Sequence, residues 1–316
     1  MNKKIKPIEL KNLETYSIND RKSKVSKDNF AKPFKKNSSF ADFLNSLPNI
    51  LAANDIIDVI DKICIAKKNN RSVAIAMGAH VIKVGLNPIL IDLVKKGIIT
   101  SIALNGAGII HDTEIAMAGQ TSEDVDQALT DGSFGMARET AQFLSSAIIN
   151  ARKESKGLGY GIGKAILDEN LPYSSLSLLA NCVKHEVPVT VHVAIGTDII
   201  HMHKDFDPEA CGALSHIDFR IFASVVANLE KGVYINIGSA VIMPEVFLKA
   251  LTLVRNMGHV VKNFTAVNLD FIRHYRPLTN VVYRPTSTGG KGINIIGHHE
   301  ILLPVIAAGI IERIED

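Results

Sequence analysis

Several residues of this sequence stand in patterns that serve chemistry. In residues 105–119, NGAGIIHDTEIAMAG, a glycine-rich turn carrying Asn105, Gly106 and Gly108 runs straight into His111 and Asp112, an imidazole and a carboxylate able to polarise or move a substrate proton. Lys291 stands between glycines in TGGKG, where backbone and amine can approach a ligand closely, as an imine-forming or phosphate-binding lysine requires. His298, His299 and Glu300 precede an apolar run and suit either a ligand or the cap of a helix. His201 and His203 in HMH, with His192 and Asp198 near them in sequence, would share a metal ion if the chain there is extended, because alternate residues then face the same way. Arg273 and Arg276, in LDFIRHYRPLTN, offer paired guanidinium groups suited to a carboxylate or phosphate. Each group also has an ordinary use: Asp112 would favour a helix N-terminus, Lys291 would be a solvated loop lysine, and the arginines would face water.

An alternation of short apolar runs and amphipathic segments must position these residues. Strands are expected at 72–77, 100–106, 187–196, 232–238, 264–269 and 292–296, and helices at 39–46, 51–68, 87–97, 110–118, 121–129, 135–154, 174–185, 217–230, 244–257 and 298–314. The segment 87–97 carries full start and stop signals, with Asn87 as cap, Pro88 at the first helical position and Gly97 after two lysines. Strands alternating with helices predict a doubly wound α/β architecture, its mostly parallel sheet covered on both faces. Ligands bind such sheets beyond the carboxyl ends of the strands. There the sequence places Gly78, Ala79 and His80, then NGAG, then GTDIIHMH with Asp198, then Gly238, Ser239 and Ala240, then the segment 287–300. Small residues at those points admit a phosphate or ribose to backbone N–H groups at helix N-termini, and five such loops on one sheet point to a nucleotide-sized ligand. Residues 1–38, rich in Lys, Asn and Ser, read as a basic arm, partly disordered or crossing to another subunit, and 39–316 as a single nucleotide-binding domain.

With 35 Lys+Arg against 32 Asp+Glu, and much of the basic excess in the first forty residues, the body offers no nucleic-acid face. Three scattered cysteines (Cys64, Cys182, Cys211) make neither a disulfide framework nor a zinc knuckle. No uninterrupted apolar stretch approaches 18 residues and no signal-like segment follows MNKKIK, so a cytoplasmic protein without membrane contact is expected. A positive mean hydropathy of +0.16 then predicts burial between subunits.

The segment AIAMGAHVIKVGLNPILIDLVKKGIITSIALNGAG (74–108), together with GVYINIGSAVIMP (232–244) and EILLPVIAAGI (300–310), resembles the deoxyhypusine synthase family. The resemblance implies a Rossmann-like NAD-binding fold assembled as a homotetramer, with sites near subunit interfaces and no metal. It further implies that Gly78, Ala79 and His80 hold the cofactor's phosphates and ribose, and that Asn105, Gly106 and Gly108 lie near the nicotinamide half. Asp198 lies near the family's ribose-binding aspartate, Gly238 to Ala240 match its glycine-rich turn, and His298 and His299 sit against the adenosine. The family forms an imine on a lysine in a Trp-Gly-Lys motif, whereas this chain has no Trp, and Lys291 is its nearest lysine. Met243-Pro244 replaces a His-His pair, and Arg273 and Arg276 replace an acidic polyamine pocket. The expectation is an NAD-dependent transferase, working through an imine or dehydrogenation step on a small, anionic substrate other than the translation-factor lysine. A metal-assisted hydrolase or lyase using His192, His201 and His203, and a non-catalytic nucleotide-binding protein, are the alternatives.

Overall fold

The computed structural model describes residues 5–314. Six strands form one parallel sheet: β1 (Val73–Met77), β2 (Ser101–Asn105), β3 (Val189–His192), β4 (Val233–Ile237), β5 (Thr265–Asp270) and β6 (Lys291–Ile296), in the order β3-β2-β1-β4-β5-β6. Helices supply the crossovers that parallel pairing demands. In chain order they are α1 (Phe40–Ser46), α2 (Leu51–Lys68), α3 (His80–Lys83), α4 (Asn87–Lys95), α5 (Gly106–Ala118), α6 (Val125–Leu129), α7 (Arg138–Glu154), α8 (Leu158–Asp168), α9 (Leu178–Lys184), α10 (Pro208–Ala227), α11 (Ile242–Asn256), α12 (Tyr275–Pro277) and α13 (His299–Arg313), with α12 running on into a π-helical stretch, Leu278–Tyr283.

Alternation within the strands decides which helices lie on which face. Val73, Ile75 and Met77 of β1 join Val233, Ile235 and Ile237 of β4 in the core under α2 and α13, while Ala74 and Ala76 point the other way. Those alanines leave room for Phe222 of α10 and Phe247 of α11, and Tyr234 stacks on Phe247 with ring centroids 3.7 Å apart. Near the carboxyl ends of β4, β5 and β6 the same face carries a chain of side-chain amides. Asn236 Nδ2 donates to Asn268 Oδ1 (2.7 Å), and Asn268 Nδ2 donates to Asn294 Oδ1 (2.9 Å), tying the three strands in register.

β3 is an edge strand, and it ends at His192 instead of running to 196 because α10 takes over its outer side. Val191 N–H donates to Asp218 Oδ2 (2.8 Å) and Val193 N–H to Ser215 Oγ (3.1 Å), so two helix side chains cover backbone groups that would otherwise invite another strand. α10 is long and apolar enough to span a membrane by composition, and here seven of its residues are buried in the fold. The arm, from residue 5 to 38, has little regular structure. It is tied to the body where Asn29 Nδ2 donates to the Asn49 carbonyl (3.0 Å) and Lys32 N–H to the Ser46 carbonyl (2.8 Å).

Candidate functional site

The chain builds β1, β2 and β3 in one direction and β4, β5 and β6 in the other, so the topological switch point lies between the carboxyl ends of β1 and β4. Gly78 and Gly238 meet there. Gly78 N–H donates to the Ile237 carbonyl (3.0 Å), and a β-carbon at 78 would collide with the Gly238 carbonyl. Gly238 itself has φ +60°, and a β-carbon on it would stand 2.6 Å from His299 Cε1, so both backbone conformation and space call for glycine.

Over this pair lies a cluster of rings. His80, the first residue of α3, places Nδ1 3.2 Å from Nδ1 of the buried His299, whose Nε2 lies 3.3 Å from the Leu269 carbonyl. A carbonyl can only accept, so the network assigns the His299 proton to Nε2, makes His299 Nδ1 the acceptor, and leaves His80 Nε2 bare. Burial holds His299 below the usual histidine range, in keeping with a neutral ring. Phe271, just past β5, lies nearly parallel to His298 (6.1 Å, 7°) and edge-on to His299 (5.8 Å, 67°). Phe271 is 42% exposed and His298 is exposed, so the rings form an open aromatic ledge.

A second feature lies toward β2 and β3. A cavity of about 170 Å³ is lined by Lys83 at the far end of α3, by His111 and Glu114 of α5, by Glu123, and by Asp198. NGAG is not a loop: β2 ends at Asn105 and α5 begins at Gly106, so Gly106 and Gly108 form the first turn of a helix. Asp198 lies against that turn, so close that a β-carbon at 106 would fall inside its carboxylate. The anion position expected for a phosphate is thus held by the chain's own side chain. Asp198 is 7% exposed, its Oδ2 has no hydrogen-bond partner, and burial pushes it up to about 6. His111 is also largely enclosed; burial first, then the Lys83 charge, lower it to about 4, and it is neutral at physiological pH.

Three groups singled out by sequence, Asp112, Lys291 and the histidines of the metal set, have other employment. Asp112 is fully buried and accepts from Asn87 Nδ2 (2.8 Å), Ser177 Oγ (2.5 Å), Leu178 N–H (2.7 Å) and Leu179 N–H (3.0 Å), so it caps α9 and cannot meet a substrate. Lys291 is the first residue of β6 and therefore lies at the amino edge of the sheet, exposed and 2.8 Å from Asp58 of α2. No ligand over the carboxyl edge can reach it. The metal set does not assemble, and among the described residues no group of three or more His, Cys, Asp or Glu side chains is placed to hold an ion. His192 is buried beside Thr190 Oγ1 (3.0 Å) and Phe222, His201 Nδ1 accepts from Gly196 N–H (3.1 Å), and His203 Nε2 donates to the Gly135 carbonyl (2.9 Å). Arg273 and Arg276 follow β5 at the carboxyl edge, both exposed, and Arg276 lies 3.6 Å from Glu245. Ser239 Oγ accepts from Met243 N–H (3.1 Å) at the start of α11, while Ala79 is buried beneath α3. Sequence reasoning missed Lys83, Glu114, Thr121 and Phe271. Lys83 and Glu114 stand three residues from His80 and His111, a helical spacing that marks shared faces once the helices are drawn correctly.

No family model matches the chain, and no curated protein matches it. Solved structures do. A candidate deoxyhypusine synthase from Entamoeba histolytica matches with a TM-score of 0.57 at 12% identity, covering 90% of this chain and 96% of that one. The chain has that fold. A candidate LOR/SDH protein from Methanococcus maripaludis S2 matches at 0.54 and 16% identity over 92% of this chain and 75% of that one. A ternary complex of AgrE with ornithine and NAD+ matches at 0.52 and 13% identity over 84% of this chain. The chain spans about a third (34%) of the length of AgrE. At such identities the likeness is one of fold.

Proposed function

We propose that this protein is an enzyme that binds a nicotinamide dinucleotide across the carboxyl ends of β1 and β4 and oxidises a small substrate held in the cavity beside α5. The observation that carries the reading is the switch point itself, where the close-packed Gly78 and Gly238 leave the backbone bare below an aromatic ledge of Phe271 and His298. The residues suit such a group. Phe271 and His298 offer flat faces to a base, His80 Nε2 is an acceptor for a ribose hydroxyl, and Asp198 Oδ2 is a buried acceptor in want of a donor. The complex of the similarly folded AgrE with NAD+ supports the choice of dinucleotide. A nicotinamide ring, when bound, supplies a hydride acceptor.

The chain's own part is to place the substrate and manage its protons. Lys83, not Lys291, is the amine on the cavity wall, available for an imine or for charge pairing. His111 is a neutral imidazole there. Arg273, at the rim beyond β5, would meet an anionic group of the substrate. Exposed Val241, Phe271, Ile272, Tyr275 and Ile296, at or just beyond the carboxyl ends of the strands, would be covered in a homotetramer with sites near subunit boundaries.

Calorimetric titration with NAD+ tests the reading. Micromolar to sub-millimolar binding is expected in the wild type, weakened roughly tenfold by Phe271→Ala, the worth of one base–aromatic stack. No heat with the wild-type protein would overturn it.

A further inference from the structure

We infer that Glu114, Thr121 and His111 form a hydroxyl-bridged relay that presents His111 to the cavity as a general base, its Nε2 free to take a proton. The inference rests on reading that cavity as the substrate chamber. His111 and Glu114 lie one turn apart on α5, and the chain leaving α5 past Gly119 brings Thr121 back between them.

The order of the protons follows from counting donors. Thr121 Oγ1 donates to Glu114 Oε2, and a carboxylate can only accept. The hydroxyl has one hydrogen, so toward His111 Nδ1, 2.7 Å away, it must accept, and Nδ1 carries the proton. A neutral imidazole holds one N–H, which leaves the lone pair on Nε2. Nε2 has no hydrogen-bond partner among the described residues and is not among the buried unpartnered atoms, as a group open to the cavity should be. Glu114 is held in turn by Thr140 Oγ1, 3.4 Å from its other oxygen. The remaining charged groups around the ring are Lys83, Glu123 and Asp198 on the cavity wall, with Glu114 Oε2 3.9 Å from Nδ1.

In the step this arrangement serves, a substrate O–H or N–H gives its proton to His111 Nε2 and its bonding electron pair stays on the substrate atom. Burial and the Lys83 charge disfavour the resulting imidazolium; Glu114, reached through Thr121, offsets part of that cost and holds the ring with Nε2 toward the cavity, the orienting role the aspartate plays in a Ser-His-Asp triad. Thr121 and Glu114 are positioning residues, because they act through His111.

The test is the tautomer, read by long-range proton–nitrogen correlations on the full chain labelled with ¹⁵N-histidine, with His111 assigned through His111→Gln. The expected result is a His111 ring protonated at Nδ1 and bare at Nε2 from pH 6 to pH 8. Thr121→Val should shift the tautomer ratio toward Nε2–H by roughly fivefold, the worth of one hydrogen bond, and Thr121→Ser should restore it. Glu114→Gln should move it in the same direction as Thr121→Val. A wild-type ring protonated at Nε2, or one tautomer in the wild type, Thr121→Val and Thr121→Ser alike, would overturn the relay. NAD+ calorimetry on the same samples separates the two readings: no binding heat would fail the dinucleotide proposal, while an Nδ1-protonated His111 would still support the relay.

Discussion

At the amino end of β6 the Lys291 ammonium lies 2.8 Å from the Asp58 carboxylate and stands in solvent, while past the carboxyl end of the same strand His299 is buried against His80 and under Phe271. Six strand residues, about 20 Å at 3.3 Å per residue, separate the two. Both ends carry glycines and ionisable side chains, and on sequence they read as one candidate loop. The difference lies in whether hydrogen-bonding capacity is spent. Lys291 has its counter-ion and faces water, whereas the carboxyl edge keeps acceptors in reserve at His80 Nε2, His111 Nε2 and Asp198 Oδ2. Asp112 shows that location alone is no guide: it lies one residue beyond His111, yet its four donors leave nothing for a substrate.

That contrast can be broken by removing spent and unspent groups in turn. The largest effect is expected for Asp112→Ala, which leaves four buried donors without an acceptor and should cost about 3–5 kcal/mol of stability in urea unfolding. A loss below about 1 kcal/mol would mean that the cap does not hold α9 in place. Asp198→Asn should act in the opposite direction. Burial raises the Asp198 carboxyl in the fold to about 6, above the ordinary aspartate value of 3.8. A group raised on folding stabilises most below its unfolded value, and that stability is lost as pH climbs through the folded value. The carboxylate therefore costs the fold stability above pH 6, and asparagine, which cannot ionise, removes that cost. A gain of the order of 1–2 kcal/mol at pH 8, after allowance for partial solvent contact, and almost none at pH 4 is expected. Equal gains at both pH values would show that charge is not the reason. The smallest effect belongs to Lys291→Ala: an exposed pair with Asp58 contributes well under about 1 kcal/mol, and NAD+ affinity should not change. A lost affinity there would move the site to the other edge.

Much of the fold was legible because bulk and small residues alternate plainly in strands such as VAIAM, and each of the six strands falls within or largely over an expected apolar run, although β3 stops at His192, short of the expected 196, and β5 ends on Asp270. α8 was missed because LGYGIGKAILD carries three glycines that read as a loop. In the structure a β-carbon at Gly163 would stand 2.6 Å from the Leu179 carbonyl, and Gly159 N–H donates to Asp218 Oδ2 (2.9 Å), so close packing and a distant cap override weak helix propensity. The candidate site was harder to read. His80 and His299 lie 219 residues apart and meet only through the strand order. Lys291 was misplaced because a strand start and a strand end look alike when the neighbouring turn is glycine-rich, and Asp112 because its partners come from α4 and the approach to α9. Thr121 carried no signal at all until the turn after α5 was known.

The most direct test of the carboxyl-edge account is to titrate NAD+ into ¹⁵N-labelled protein and follow the backbone amides at both ends of the sheet. Saturable shifts are expected at Gly78, His80, Gly238 and His299, with Gly289, Gly290 and Lys291 unmoved. Shifts confined to Gly289–Lys291, or none anywhere at millimolar NAD+, would contradict it.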